Sequence, residues 1–239
     1  GYNWNSTFGG GPILAGGLAR VGPAEIRVLS PSPDALGKLV LWWQTELVKM
    51  GVGPDAIKSL ELEDPYESKL MNQTLPYSDV LQVISSDQLS VPTDGSFKPD
   101  RSAANASSIA MLVTVGPLSV LLLADLPASC PTLLVDCPKS VDFVKVSHHG
   151  SRGNTSPEFL KCFRAKHFLV TGNGRHGHPH TETLLRIVSS QPGCNLIFNY
   201  ATGQSKLMAS QEAASRFSHT VVVGDGHLGK PCCLVLQGK

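Results

Sequence analysis

A chain of 239 residues with 41% hydrophobic content is long enough to build a substantial core in one large or two small domains. Twenty basic side chains against nineteen acidic ones leave a formal charge of +1, which argues against a general nucleic-acid or anionic-membrane binder. No apolar run of about 18 residues is present to span a bilayer, and the opening GYNWNSTFGGG lacks the basic start and apolar stretch of a signal peptide.

Residues 1–24 are rich in Gly and read as an irregular lead-in, followed by a strand at EIRVLS, 25–30. Ser32 is placed to cap a helix that starts at Pro33 and Asp34 and stops at Gly51. Leu36, Leu39, Val40, Trp43, Leu47 and Met50 recur at helical spacing on one face, and Trp42 and Trp43 read as packing residues. Residues 52–100 form a flexible insertion or linker, acidic and turn-rich; from 51 to 100 nine acids face three bases. SSIAMLVTV and LSVLLLA then predict a hairpin around Gly116-Pro117 with both strands largely buried.

Asp125 directly follows that second apolar run. A carboxylate there is costly to bury unless it is paired or bound to a metal, while a solvent-facing turn or a helix cap would satisfy it equally well. The remainder alternates: strand 141–147, helix from Ser156 to about Ala165, strand 167–171, helix from Thr181 to about Ser189, strand 195–199, and helix around 204–216. TVVV and CCLVLQ supply two closing strands, and the alternation predicts an α/β domain. The cysteines at 130, 137, 162, 194, 232 and 233 form no CxxC pair and read as small core residues with reduced thiols, which points to a cytoplasmic protein.

Six of the eight histidines fall between Val141 and His180. Neutral imidazole is the commonest protein ligand for zinc, so His148, His149, His176, His178 and His180, on turns after predicted strands, invite a metal-site reading with Asp125 as the carboxylate. Adjacent strand residues point to opposite faces, so His148 and His149 serve one site only if the strand has ended and the chain turns there. An HxHxH run can chelate a metal when extended, but Pro179 and a helix start at Thr181 break that regularity after His176 and His178. Six bases against two acids in residues 141–180 favour an anionic substrate; a solvated basic face explains the same charges.

The segments NASSIAML, LSVLLLADLP, VDFVKVSHHGS and NGRHGHPH occur in an order and spacing that resembles the metallo-β-lactamase-fold hydrolases of the ComEC-like branch. YNWNSTFGGGP, IRVLSPSPDAL and WWQTELVKMG are similar to a bacterial branch of the same superfamily. The resemblance implies an α/β fold of metallo-β-lactamase-like αββα layered-sandwich type, incomplete at the N-terminus, with residues 1–239 as the C-terminal portion of one domain. It implies Asp125 as a carboxylate bridging two divalent metals, zinc or alternatively manganese, and His178 within Gly177-His178-Pro179 as a ligand. His148 and His149 would bind metal or meet the substrate's developing charge, and Arg152, Lys145 or Asn173 would orient the substrate. The implied reaction is metal-assisted hydrolysis of a phosphodiester or another small-molecule or nucleotide-like anionic ester, without membrane contact. A lactone or ester hydrolase, or a non-catalytic binding or scaffolding domain, are the alternatives. The family's HxHxDH motif has no match in these 239 residues and is expected upstream of Gly1, so self-association or a partner chain is expected to complete the fold.

Overall fold

The computed structural model describes residues 5–51, 89–130, 138–174 and 176–224. Among them eight strands form a single sheet in chain order: β1 (Leu18–Val21), β2 (Ala24–Ser30), β3 (Ala110–Val115), β4 (Leu118–Leu122), β5 (Ser140–Lys145), β6 (Arg164–Val170), β7 (Asn195–Phe198) and β8 (Thr220–Val223). The first four pair antiparallel and the last five, from β4 on, pair parallel. Both early hairpins turn on Gly-Pro, with Gly22 and Gly116 at φ 57° and 55°. A positive φ at the first central position followed by proline's fixed φ is the arrangement of a II′ turn, whose twist matches paired strands.

Register explains the core. Leu112, Leu121, Val144, Phe168 and Leu196 stand opposite one another across five neighbouring strands and so share one face of the sheet. That row packs with Phe159 and Leu160 of α3 (Pro157–Lys161) and with Leu184, Leu185 and Val188 of α4 (Thr181–Ser190). Gln191, buried just after α4, donates to the carbonyls of Leu160 and Phe163 and accepts from the Ala165 amide, which ties the helical layer to the start of β6. The opposite face carries Met111, Leu122, Lys145, Leu169 and Ile197 in register.

The α/β reading therefore stands, as a mixed eight-stranded sheet with helices. The described residues hold one sheet rather than the two facing sheets of an αββα sandwich. The β3–β4 hairpin is less buried than its composition suggests: only Ala110 and Leu121 are fully enclosed, and the rest of both strands is half-buried or exposed. The helix expected around 204–216 is two helices, α5 (Gly203–Met208) and α6 (Gln211–Phe217), because Ser210 starts a new one by accepting from the Ala213 amide. CCLVLQ and residues 52–88 lie outside the described residues. The end of the expected linker is anchored: Leu89 is fully enclosed, Phe97 packs against the core, and the Asp100 amide donates to the Gly153 carbonyl.

Helix α1 (Pro33–Lys49) begins as expected, with Ser32 Oγ accepting from the Ala35 amide. Its role differs from expectation. None of its residues is buried, and Trp42 and Trp43, read as packing residues, are exposed at 39% and 38%. The helix meets the domain along the short α2 (Ala103–Ala106), where Ser107 Oγ donates to the Ala35 carbonyl, so only a narrow stripe is covered. Cys162 and Cys194 are free thiols; burial pushes Cys194 up to about 12, consistent with an inert core residue.

Candidate functional site

Because β2 and the parallel strands all run the same way, the loops that follow them open at one end of the sheet, where layered α/β proteins place their ligands. Four imidazoles gather there. After β5 the chain enters a tight turn, Ser147–Gly150, in which His148 (φ 45°, ψ 48°) and His149 (φ 54°, ψ 22°) are both left-handed. The strand has thus ended, which is the condition for two adjacent histidines to face one site. Left-handed non-glycine residues in succession are uncommon and are tolerated where surrounding contacts fix them. Here the His148 amide donates to the Ala124 carbonyl and Ser147 Oγ to the Leu126 carbonyl.

The second loop, Thr171 to His180, folds over the first. Its His180 amide donates to the Gly150 carbonyl, and Gly150, at φ 86°, sits so close to Pro179 that an added Cβ would meet the proline Cβ at 2.7 Å. Glycine is required there for both its conformation and its size. The His178–Pro179 peptide is cis. This apposition brings the His178 ring centroid to 5.0 Å from His148 and 4.8 Å from His180, while His148 and His149 are 6.3 Å apart.

Beneath His148 lies a polar clamp. Asp100 accepts from the Ser102 amide at 2.8 Å, from Asn105 Nδ2 at 2.6 Å and from Asn154 Nδ2 at 3.0 Å, and its carboxylate is 3.7 Å from His148 Nδ1. Burial alone would raise the Asp100 carboxyl, but these hydrogen bonds and the His148 charge bring it below its ordinary value. Asn154, itself buried, spends the same amide on the Asp125 carbonyl at 3.0 Å. His178 moves the other way from its usual range: burial, then the neighbouring rings of His180, His148, His149 and His176, lower it to about 4. His180 is lowered by burial and by Arg152, against the pull of Glu182.

Two cavities flank His178. One, of about 650 Å³, is bounded by Lys98, Asp100, Asn105, His148, Arg152 and His180 among others. The other is lined by His149, Thr171, Asn173, His176, Asn199 and Tyr200. Arg152 is exposed and reaches Glu182 at 3.4 Å; Asn173 is exposed on the rim of the second cavity. Of the expected residues, the fold thus brings His148, His149 and His178 together, with Arg152 on one side and Asn173 on the other. Asp125 lines neither cavity: half-buried after β4, its carboxylate acts on the Lys145 ammonium, which burial nonetheless lowers. Asp100, Asn105 and Asn154 were not expected as site residues. Asp100 stood in what reads as a linker; the signal that could have found it is the acid two residues before a Ser-capped turn ending in Asn105.

Among the described residues, no group of three or more His, Cys, Asp or Glu side chains is arranged to hold a metal ion. A catalytic zinc takes about three protein ligands. The described donors therefore do not complete the centre that the resemblance implies, and the 3.2 Å between His178 Nδ1 and His180 Nδ1 is a hydrogen-bond contact.

Over 90 residues the chain is 31% identical to ComE operon protein 3 of Bacillus subtilis (strain 168). The match covers 36% of this chain and 12% of that protein, so the chain spans only a small part of its curated relative. No family model matches, and no solved structure matches. Among the described residues no helix is long and apolar enough to cross a membrane.

Proposed function

We propose that the chain is part of a metal-dependent hydrolase of metallo-β-lactamase type, acting on a phosphodiester or another anionic ester. The observation that carries this reading is the convergence of His148, His149, His178 and His180 where the parallel strands end, beside Lys98 and Arg152. Similarity to ComE operon protein 3 supports it, being the likeness that the motif order implies. A bound divalent ion would supply an activated water and charge neutralisation. This chain's own residues bind and orient: Arg152 and Lys98 attract an anionic group, and imidazole N–H groups donate to the ester oxygens. The ligands missing from the described residues would come from a segment carrying the HxHxDH motif.

The incomplete donor set favours a second reading, a non-catalytic binding or scaffolding domain. One experiment separates them. The purified chain is loaded with zinc or manganese, alone and with a segment supplying HxHxDH, and assayed for bound metal and for turnover of bis(p-nitrophenyl) phosphate. We expect little turnover from the chain alone and a gain of at least ~100-fold on completion, since loss of metal activation removes several kcal/mol of transition-state stabilisation. No turnover and no bound metal in the completed protein would leave the binding-domain reading. Two tightly bound metals and robust turnover in the chain alone would show that it already holds the whole centre.

A further inference from the structure

A main-chain carbonyl can only accept a hydrogen bond and a main-chain N–H can only donate one, so each such contact to a neutral imidazole fixes where its proton sits. His149 Nδ1 lies 2.7 Å from the Thr171 carbonyl oxygen, which places the His149 proton on Nδ1. The Arg152 amide N–H is directed at His180 Nδ1 from 3.3 Å, so that nitrogen accepts and the His180 proton is on Nε2. His178 Nδ1 stands 3.2 Å from the same unprotonated atom, so the hydrogen in that contact is carried by His178 Nδ1, which shares the His180 lone pair with the Arg152 amide. For His148 the deciding group is Asn105. Its amide nitrogen is 2.6 Å from Asp100 Oδ2, where only the NH2 end can sit, and the same nitrogen is 3.4 Å from His148 Nδ1. In the neutral ring the second N–H of that amide makes His148 Nδ1 an acceptor, Asp100 Oδ2 at 3.7 Å standing beyond hydrogen-bond distance, and leaves the proton on Nε2.

The geometry points to a division of labour inside the cluster: His149 and His178 present unprotonated Nε2 atoms, whereas His148 and His180 present Nε2–H groups. A lone pair takes a cation or a proton; an N–H donates to an anionic oxygen. The two cavities divide in the same sense. His149 lines one of them, His148 and His180 line the other beside Lys98 and Arg152, where an anionic group would be held, and His178 stands between the two and borders both. The roles expected from sequence are thereby redistributed: His148 becomes a donor toward a substrate oxygen rather than a metal ligand, and His149 joins His178 as a lone-pair partner. Asn105, the Thr171 carbonyl and the Arg152 amide act as positioning groups, because each holds an imidazole in one tautomer. The substrate-side roles rest on the hydrolase reading; the tautomers do not.

The test is a long-range proton–nitrogen correlation spectrum of the 15N-labelled, metal-free chain at about pH 8, where ordinary imidazoles are neutral. Single His→Gln variants assign the rings. Free neutral histidine favours Nε2–H, so the informative result is the Nδ1–H pattern expected at His149 and His178, with Nε2–H at His148 and His180. Nε2–H at either His149 or His178, or Nδ1–H at His148, would overturn the assignment. In Asn105→Ala the His148 Nδ1 resonance should move downfield, as it does when an acceptor nitrogen loses its donor, with the other three rings unmoved. An unmoved His148 signal would remove Asn105 from the positioning role. If that variant does not fold, the spectrum of the unaltered chain still decides the tautomers. Because no activity is read, this result and the turnover result above fail independently.

Discussion

His178 shows how position alone changes a side chain's chemistry. Its burial beside other imidazoles lowers it from 6.5 to about 4. Between those values the unfolded chain binds the proton more readily than the folded one, so the stability tied to this ring is complete above about pH 6.5 and is lost as the pH falls toward 4. His180 and His219 are also lowered, chiefly by burial, and act in the same direction. The Asp100 carboxyl, lowered by its three hydrogen bonds, adds a further loss in more acidic solution, as the pH falls below its unfolded value of 3.8. The metal-free chain should therefore melt at lower temperature at pH 5 than at pH 7.5, and His178→Gln should flatten that slope. Equal melting temperatures for the unaltered chain at the two pH values would contradict the burial of these rings.

At the scale of elements, the site is a joint between two loops rather than a property of either. The turn after β5 and the loop after β6 meet where Gly150 faces Pro179, with the His180 amide bonded to the Gly150 carbonyl. Gly150→Ala would put a methyl against the proline and force a side chain into a left-handed conformation, at a cost of about 2–4 kcal/mol. The loops should separate before the sheet unfolds. We expect a lowered melting temperature together with faster amide exchange at His148–Gly150, while the β5 and β6 amides stay protected. A variant as stable as the parent, with unchanged exchange in that turn, would show that the joint tolerates the added methyl.

For the molecule as a whole, the notable surface is α1. Val40, Leu41, Trp42, Trp43 and Val48 are all exposed at 38% or more, and a groove along Leu39, Trp43 and Leu47 runs beside Ala104 and Ser107. An apolar groove beside several exposed large apolar side chains is the kind of surface that interaction sites use. The expected outcome is concentration-dependent self-association, with sedimentation giving a mass above 25.4 kDa. The double substitution Trp42→Lys and Trp43→Lys should return the chain to that mass. A parent chain that remains monomeric as its concentration rises would refute self-association through this helix.

Much of the fold was legible because local rules and tertiary context agree. Gly116-Pro117 dictates a tight turn, Ser32 and Ser156 cap their helices, and apolar runs find neighbours in register, whereas the lead-in expected over 1–24 proves to hold β1, paired with β2 across Gly22-Pro23. Where the sequence misled, the deciding contact was distant in the chain. Helical spacing predicts an apolar face on α1 but cannot say what covers it, and no residue of the helix is buried. An acidic, turn-rich composition reads as a linker, yet Asp100 at its end is held by Asn154, a partner 54 positions away. The histidine cluster was visible from residue types alone, since imidazoles in loops after strands carry their own chemical signature. Which nitrogen of each ring holds the proton was not visible, because it is set by the Thr171 carbonyl, the Arg152 amide and the Asn105 side chain. Sequence by itself determined the α/β alternation and the chemistry available at one end of the sheet. Only the tertiary structure decided how that chemistry is partitioned, since a hydrogen bond between loops depends on where the sheet places them in space.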